Sequence, residues 1–338
     1  MEVITGWTHR SIPVTDASCV GEARRYCAQS IADWGWSDVD AGRLSLIVTE
    51  LGSNLTRHAQ QGQLWIAFKP VWQEVEVIAL DKGPGMSDVQ RSLTDGVSTG
   101  SGSPGTGLGA VRRMASDFDV HSTPAGTLVL ARIRPAAAAQ SPITRRLGAV
   151  QLAAPGETVC GDGWALAIDG AHDIALLVSD GLGHGPDAAA ASNAALGAFA
   201  KEPFTALPTL VQKLHQSLQG TRGAAIFMLL AMQGEALQYA GAGNILGRVM
   251  SGVFDKSMLT PHGTAGVQLR RAEASKQEWP PHALALVHTD GIASRWPAAA
   301  LASLMPRDPT LLAAALAWTY LRGRDDATVV VLKQEEPE

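Results

Sequence analysis

Residues 50–59 read Glu-Leu-Gly-Ser-Asn-Leu-Thr-Arg-His-Ala. They fall inside a run, residues 38–59, whose apolar spacing and acidic start predict a helix. A spacing of four puts Glu50 and Asn54 on one face of that helix, and His58 extends the same stripe. A carboxylate beside an amide can hold a hydrated magnesium ion and polarise a hydroxyl or a water. Taken alone, the spacing is also that of the polar edge of an amphipathic helix. Upstream, residues 17–34 predict a second helix, with Asp16 as its N-cap. Downstream, residues 64–68 and 71–80 predict two strands around a turn. Asp81-Lys-Gly-Pro-Gly-Met86 follows. Its glycines permit a sharp turn and a close ligand approach, and an acid at a strand end can accept a hydrogen bond from a base amino group; alone, it is also a plain turn. Residues 100–114, GSGSPGTGLGAVRRM, lead into a predicted helix over 108–118, which offers free N–H groups to a phosphate. No lysine follows as in the GxxxxGK[ST] loop, and no strand directly precedes as in the dinucleotide fingerprint. Strands are predicted at 120–122 and 127–133. Two helices on one face of a mixed sheet, with a long loop in the middle, make an α/β sandwich.

The chain has 338 residues, about twice the length expected of one domain. With 46% apolar and 17% charged residues it can bury two cores, which argues against disorder. A formal charge of -5 and no strongly basic stretch argue against nucleic acid as a partner. Three cysteines, Cys19, Cys27 and Cys160, form no CxxC pair and no even framework, so a reducing compartment and no structural zinc are expected. The absence of a signal-peptide pattern and of a long apolar span gives the expectation of a cytoplasmic protein without a membrane segment.

The seam is PAAAAQSP, residues 135–142. It predicts a linker between a first domain, 1–134, and a second, 143–338, each able to fold alone. In the second, short apolar strands alternate with turns, and helices are predicted at 186–200, 208–218 and 309–321. That pattern suggests two packed sheets flanked by helices. Acids recur at its strand ends beside glycines: Gly161-Asp162-Gly163-Trp164, Ser179-Asp180-Gly181-Leu182-Gly183-His184-Gly185, Thr289-Asp290-Gly291 and Arg324-Asp325-Asp326. Brought together, four aspartates repel one another unless cations neutralise them, and oxygen-only ligands favour Mg²⁺ or Mn²⁺ over zinc. Two such ions can activate a water and clamp the leaving oxygen of a phosphoester. Four Asp-Gly turns are the bland alternative. Cys160 reads as a packed thiol, and His184 as either structural or a donor near a phosphate.

The ordered set ELGSNLTRHA, DKGPGM, DGVSTG and GTGLGAVRRMASDFDV resembles the Bergerat ATP-binding fold of GHKL ATPases and kinases, and within it the RsbT-like switch kinases. The resemblance implies that Glu50 is the general base toward an acceptor hydroxyl and Asn54 the Mg²⁺ ligand. It implies that Asp81 binds the adenine amino group of ATP, with Gly83 and Gly85 shaping that pocket. Gly105, Thr106, Gly107, Leu108 and Gly109 are implied to cradle the phosphates under a lid of residues 95–103. His58 is expected as a structural or pocket-edge group, not as a phosphoacceptor.

In the second domain, GD-x-W, SDGLGHG, TDGI and RDDATVVV resemble the PPM (protein phosphatase 2C-like) superfamily, in its SpoIIE-type branch, with an RsbX-like short form. The implied fold is an α-β-β-α sandwich. The implied ligands of two Mn²⁺ or Mg²⁺ ions are Asp162, Asp180, the carbonyl of Gly181, Asp290 and Asp325, with Asp326 the competing neighbour. Joined, the two resemblances imply a bifunctional partner-switching regulator that phosphorylates a STAS-domain antagonist on Ser/Thr and removes the phosphate again. The alternative is an active phosphatase with an ATP-gated module that sequesters a STAS protein or a downstream effector of a sigma pathway without transfer.

Overall fold

The computed structural model describes residues 1–93, 107–136, 138, 146–170, 173–233, 235–270 and 272–334. The chain divides into two compact units. An inserted unit comprises His9–Thr144, and an interrupted unit joins Met1–Thr8 to Arg145–Glu338. The first strand, β1 (Glu2–Thr5), belongs to the interrupted unit.

The inserted unit begins with β2 (Arg10–Pro13), α1 (Ala17–Ser30) and α2 (Asp38–His58). Asp16 caps α1 by accepting the Ser18 N–H, as expected. The helix closes at Ser30, earlier than the apolar spacing suggests. Ser37 caps α2 through the Asp40 N–H. Asp38 and Asp40 lie in its first turn and Arg57 and His58 in its last, complementing the helix dipole at both ends. Next come β3 (Gln63–Lys69), β4 (Glu74–Leu80), a short α3 (Val89–Ser92), α4 (Gly107–Met114), β5 (Asp117–Thr123) and β6 (Gly126–Ile133). α4 is shorter than expected because Asp117 and Phe118 already pair across to Arg132 and Ala131. The sheet runs β2-β3-β4-β6-β5 with every neighbouring pair antiparallel, which corrects the mixed sheet expected from sequence. Short connections make β3–β4 and β5–β6 hairpins, and hairpins are antiparallel. Leu44, Ile47, Val48 and Leu51 of α2 pack with Val75, Val77, Val129 and Ala131 of the sheet in one core.

The interrupted unit continues with β7 (Leu147–Leu152), β8 (Asp162–Asp169), β9 (Asp173–Gly181), α5 (Pro186–Phe199), α6 (Leu207–Ser217), β10 (Ala224–Ala231), β11 (Leu237–Ala242) and β12 (Leu246–Met250). β13 (Asp255–Met258), β14 (Ser275–Gln277), β15 (Leu284–His288), α7 (Pro309–Tyr320) and β16 (Ala327–Lys333) complete it. One sheet runs β1-β8-β9-β10-β11-β14 and the other β13-β12-β15-β16-β7, both antiparallel throughout. α5 and α6 cover the first through Ala191, Ala195, Phe199, Leu210 and Leu214. α7 packs on β7 and β16 of the second. This is the expected α-β-β-α sandwich.

The expectation that residues 1–134 form one domain is corrected by β1. Glu2 stands opposite Ile168 and Thr5 opposite Ala165 in an antiparallel ladder, and the Gly6 N–H donates to the Trp164 carbonyl at 2.7 Å. Trp7 meets Trp164 edge to face at 4.7 Å. The second half therefore does not hold all of its own sheet. A four-residue strand carries almost no local signal, and its partner lies beyond an entire folded unit. Gly6 permits the contact: a Cβ there would sit 2.6 Å from Nε1 of the Trp164 ring, which is fully buried and has no room to yield. Gly6→Val is expected to lower the melting temperature of the interrupted unit by roughly 5 °C through overpacking. Calorimetry on the full chain checks this, and an unchanged melt would show that β1 is not seated on Trp164.

Candidate active sites

In the inserted unit, α2 presents half-buried Glu50 and Asn54 on one face. Opposite them lies the first residue of α4. A Cβ at Gly107 would stand 3.7 Å from Asn54 Oδ1 and 3.8 Å from Glu50 Oε2. Glycine at 107 leaves that space open beside a carboxylate, an amide and the start of a helix, whose first-turn N–H groups lack intrahelical acceptors. Leu108 and Gly109 are buried. Gly105, Thr106 and the expected lid, residues 95–103, lie outside the described residues.

Asp81 follows β4. Its N–H donates to the Thr127 carbonyl at 3.0 Å, and its Oδ1 accepts the Gly83 N–H at 2.6 Å. Half-buried, its carboxyl is raised above the usual range by that burial, against the Gly83 N–H, which favours the charge. Gly85 takes a left-handed φ of +71°, and a Cβ there would fall 2.0 Å from the Thr123 carbonyl oxygen, so only glycine fits the turn. The Met86 N–H donates to Ser122 Oγ at 2.7 Å, which is itself 2.9 Å from Thr127 Oγ1. The sequence reading missed these two hydroxyls, which pin the glycine turn to the β5–β6 hairpin. His58 is exposed at the end of α2 and acts electrostatically on Asp81.

In the interrupted unit, strand ends from both sheets bring the aspartates into one electrostatic group. Asp162 opens β8 and is the direct cross-strand neighbour of Asp180 on β9. Asp290 follows β15, and Asp325 and Asp326 precede β16. Asp162 is almost fully buried, and its carboxyl lies well above the normal range because of burial and then Asp180. Asp180 is pushed up to about 8 by burial and by Asp290, Asp325 and Asp326. Burial and then Asp325 raise Asp290. Asp326 is raised by burial, and its Oδ1 is taken by the Ala154 N–H at 2.8 Å. Gly181 ends β9 beside Asp180. His184 pairs through Nδ1 with Glu157 Oε1 at 2.7 Å on an exposed rim. Cys160 is a buried thiol bonded to the Leu152 carbonyl, its acidity suppressed chiefly by burial.

Three partners escaped the sequence reading. Thr289 Oγ1 donates to Asp162 Oδ2 at 2.8 Å, Asn244 Nδ2 donates to Asp290 Oδ2 at 2.7 Å, and Gln151 Nε2 donates to the Asp162 carbonyl at 3.2 Å. Thr289 was legible in principle, standing directly before the Asp-Gly pair; Asn244 and Gln151 carry no local signal. Among the described residues, no group of three or more His, Cys, Asp or Glu side chains is packed closely enough to hold a metal ion as it stands. Asp162 Oδ1 and Asp326 Oδ2 are nevertheless buried without a hydrogen-bond partner. Orphaned carboxylate oxygens in an all-oxygen, mutually repelling set are the chemistry that hard divalent cations satisfy.

Comparison with known proteins matches residues 13–133 to the family described as histidine kinase-like ATPase domain. Over 119 residues the chain is 32% identical to the serine/threonine-protein kinase RsbT of Bacillus subtilis (strain 168), spanning 32% of this chain and 89% of that relative. The chain belongs to the RsbT kinase family. Its RsbT-type unit is the inserted one. Residues 170–335 match a second family, Stage II sporulation protein E (SpoIIE), so the interrupted unit carries a SpoIIE-type domain. A solved chain described under "The bacterial stressosome: a modular system that has been adapted to control secondary messenger signaling" is 29% identical, with a TM-score of 0.52, covering 56% of this chain and 98% of that one. RsbX in complex with magnesium is 20% identical with a TM-score of 0.47, covering 54% and 92%. No helix among the described residues is long and apolar enough to cross a membrane.

Proposed function

We propose that the chain is a bifunctional partner-switching regulator: a serine/threonine kinase and a serine/threonine phosphatase acting on one STAS-domain antagonist. The observation that carries this reading is that one chain holds both sites, the Glu50–Asn54 pair facing Gly107 and the buried aspartate group with orphaned oxygens. In the kinase unit, Asp81 holds the adenine amino group of ATP, with Gly83 and Gly85 shaping its turn. Gly105, Thr106, Gly107, Leu108 and Gly109 take the phosphates, Asn54 holds Mg²⁺, and Glu50 accepts the proton of the attacking hydroxyl.

In the phosphatase unit, Asp162, Asp180, the Gly181 carbonyl, Asp290 and Asp325 would hold two Mn²⁺ or Mg²⁺ ions. Asp325 is taken over Asp326 because the resemblance implies it; each gives one oxygen to a backbone N–H, Asp325 Oδ1 to that of Asp326 at 2.9 Å and Asp326 Oδ1 to that of Ala154 at 2.8 Å. Such ions supply positive charge that acidifies water and neutralises the phosphoryl group. The residues of this chain hold the aspartates in place: Thr289 orients Asp162, and Asn244 orients Asp290.

Incubating the full chain with a STAS protein and γ-labelled ATP, then adding Mn²⁺ with excess unlabelled ATP, tests the reading. Label is expected on the partner first and as free phosphate afterwards. Asp81→Asn is expected to weaken nucleotide binding at least about tenfold by removing the carboxylate acceptor, measured by fluorescent-nucleotide titration. ATP-dependent capture of the partner without any transfer would establish the sequestering alternative instead.

A further inference from the structure

We propose that Thr8 and Gln151 are positioning residues of the phosphatase centre, fixing Asp162 from the point where the chain leaves for the kinase unit. The proposal rests on the phosphatase reading above. Gln151 lies in β7, is 6% exposed, and stands opposite Thr328 of β16. Its Nε2 donates to two acceptors, the Asp162 backbone carbonyl at 3.2 Å and Thr8 Oγ1 at 3.0 Å. An amide NH₂ has two hydrogens, so this pair of bonds uses both.

Asp162 is thus held at both ends. Thr289 Oγ1 fixes the carboxylate at Oδ2, and the Thr328 N–H orients that hydroxyl by donating to it at 2.9 Å. Gln151 fixes the main chain of the same residue. Gln151 and Thr328 are cross-strand neighbours, so both supports rise from one spot on the five-stranded sheet and leave Asp162 Oδ1 unpartnered.

Thr8 brings the N-terminal segment of the interrupted unit into this arrangement. It is the last residue of the segment whose strand β1 runs antiparallel along β8. The next residue, His9, opens the kinase unit. Without the Thr8 hydroxyl, one hydrogen of a buried amide loses its acceptor, the amide is free to turn, and its hold on the Asp162 carbonyl slackens. Small displacements of a ligand matter, because groups that orient ligands set metal affinity.

The test uses the full chain and the variants Thr8→Val, Thr8→Ser and Gln151→Met. Mn²⁺ binding is measured by calorimetry, hydrolysis of p-nitrophenyl phosphate as a function of Mn²⁺, and the melting temperature without metal. Gln151→Met is expected to raise the Mn²⁺ dissociation constant about tenfold, with kcat largely recovered at saturating Mn²⁺. Thr8→Val shifts it in the same direction by less, with a metal-free melt lowered less than in Gln151→Met, and Thr8→Ser matches wild type. Wild-type Mn²⁺ affinity in both Thr8→Val and Gln151→Met overturns the proposal, as does an equal loss in Thr8→Ser and Thr8→Val. If the unmodified chain neither binds Mn²⁺ nor hydrolyses phosphoester, the phosphatase reading fails and takes the proposal with it. If it does both and the variants do not differ from it, the positioning role alone fails.

Discussion

Asp180→Ala is expected to abolish phosphate release at every Mn²⁺ or Mg²⁺ concentration while ATP-dependent phosphorylation of the partner continues. Asp180 is the cross-strand neighbour of Asp162 and also feels Asp290, Asp325 and Asp326. It therefore couples the aspartate of the six-stranded sheet to those at the strand ends of the other. A loss on the order of 10³-fold or more follows if it bridges both ions. Asp180→Asn separates charge from shape. Without metal, it removes one of the crowded negative charges and is expected to raise the melting temperature. With metal, the stabilisation that bound cations give the wild-type chain disappears. Calorimetry with and without Mn²⁺, alongside phosphate release, reads both effects. Full wild-type activity in excess chelator would exclude a metal-dependent centre.

Glu50→Ala is expected to cut phosphotransfer by about 10²–10⁴-fold, the usual contribution of a positioned base. Nucleotide binding should survive, because Glu50 lies across from Gly107 while the proposed adenine pocket centres on Asp81, Gly83 and Gly85. Phosphatase activity should be untouched. Label transfer to the partner and fluorescent-nucleotide titration, run on the same protein, distinguish a lost base from a lost ATP site. Transfer at the wild-type rate would end the assignment of Glu50.

The ExxxN face, the Asp81 turn and the strand-end aspartates were legible because each depends on residues close in sequence: a helix period, a left-handed turn, an acid after a buried strand. The start of α1 was signalled the same way by its cap, Asp16, and that of α2 by the acid at Asp38, though its cap, Ser37, was not read. What escaped depends on distant partners. β1 is four residues long and finds its ladder only at residues 165–168. Strands β12, β13 and β14 are short, and the edge strands β13 and β14 are largely exposed, so they lack an apolar run to announce them. The supports of Asp162 come from β7, from the turn after β15 and from Thr8, and no local pattern brings those three together.

The place of β1 also governs how the molecule is made. The ribosome releases β1 before the inserted unit and its partner β8 only after it, so the ladder between them is among the most non-local contacts in the chain. The inserted unit is synthesised in full while β1 still waits with an open edge. On the proposed function, a prematurely terminated chain can therefore carry the kinase unit without the phosphatase unit, but never the reverse. Proteolysis between the units does not release a whole phosphatase either, because the cut-away piece leaves its first strand behind. On the proposed function, biosynthesis and turnover alike tie the eraser to the presence of the writer.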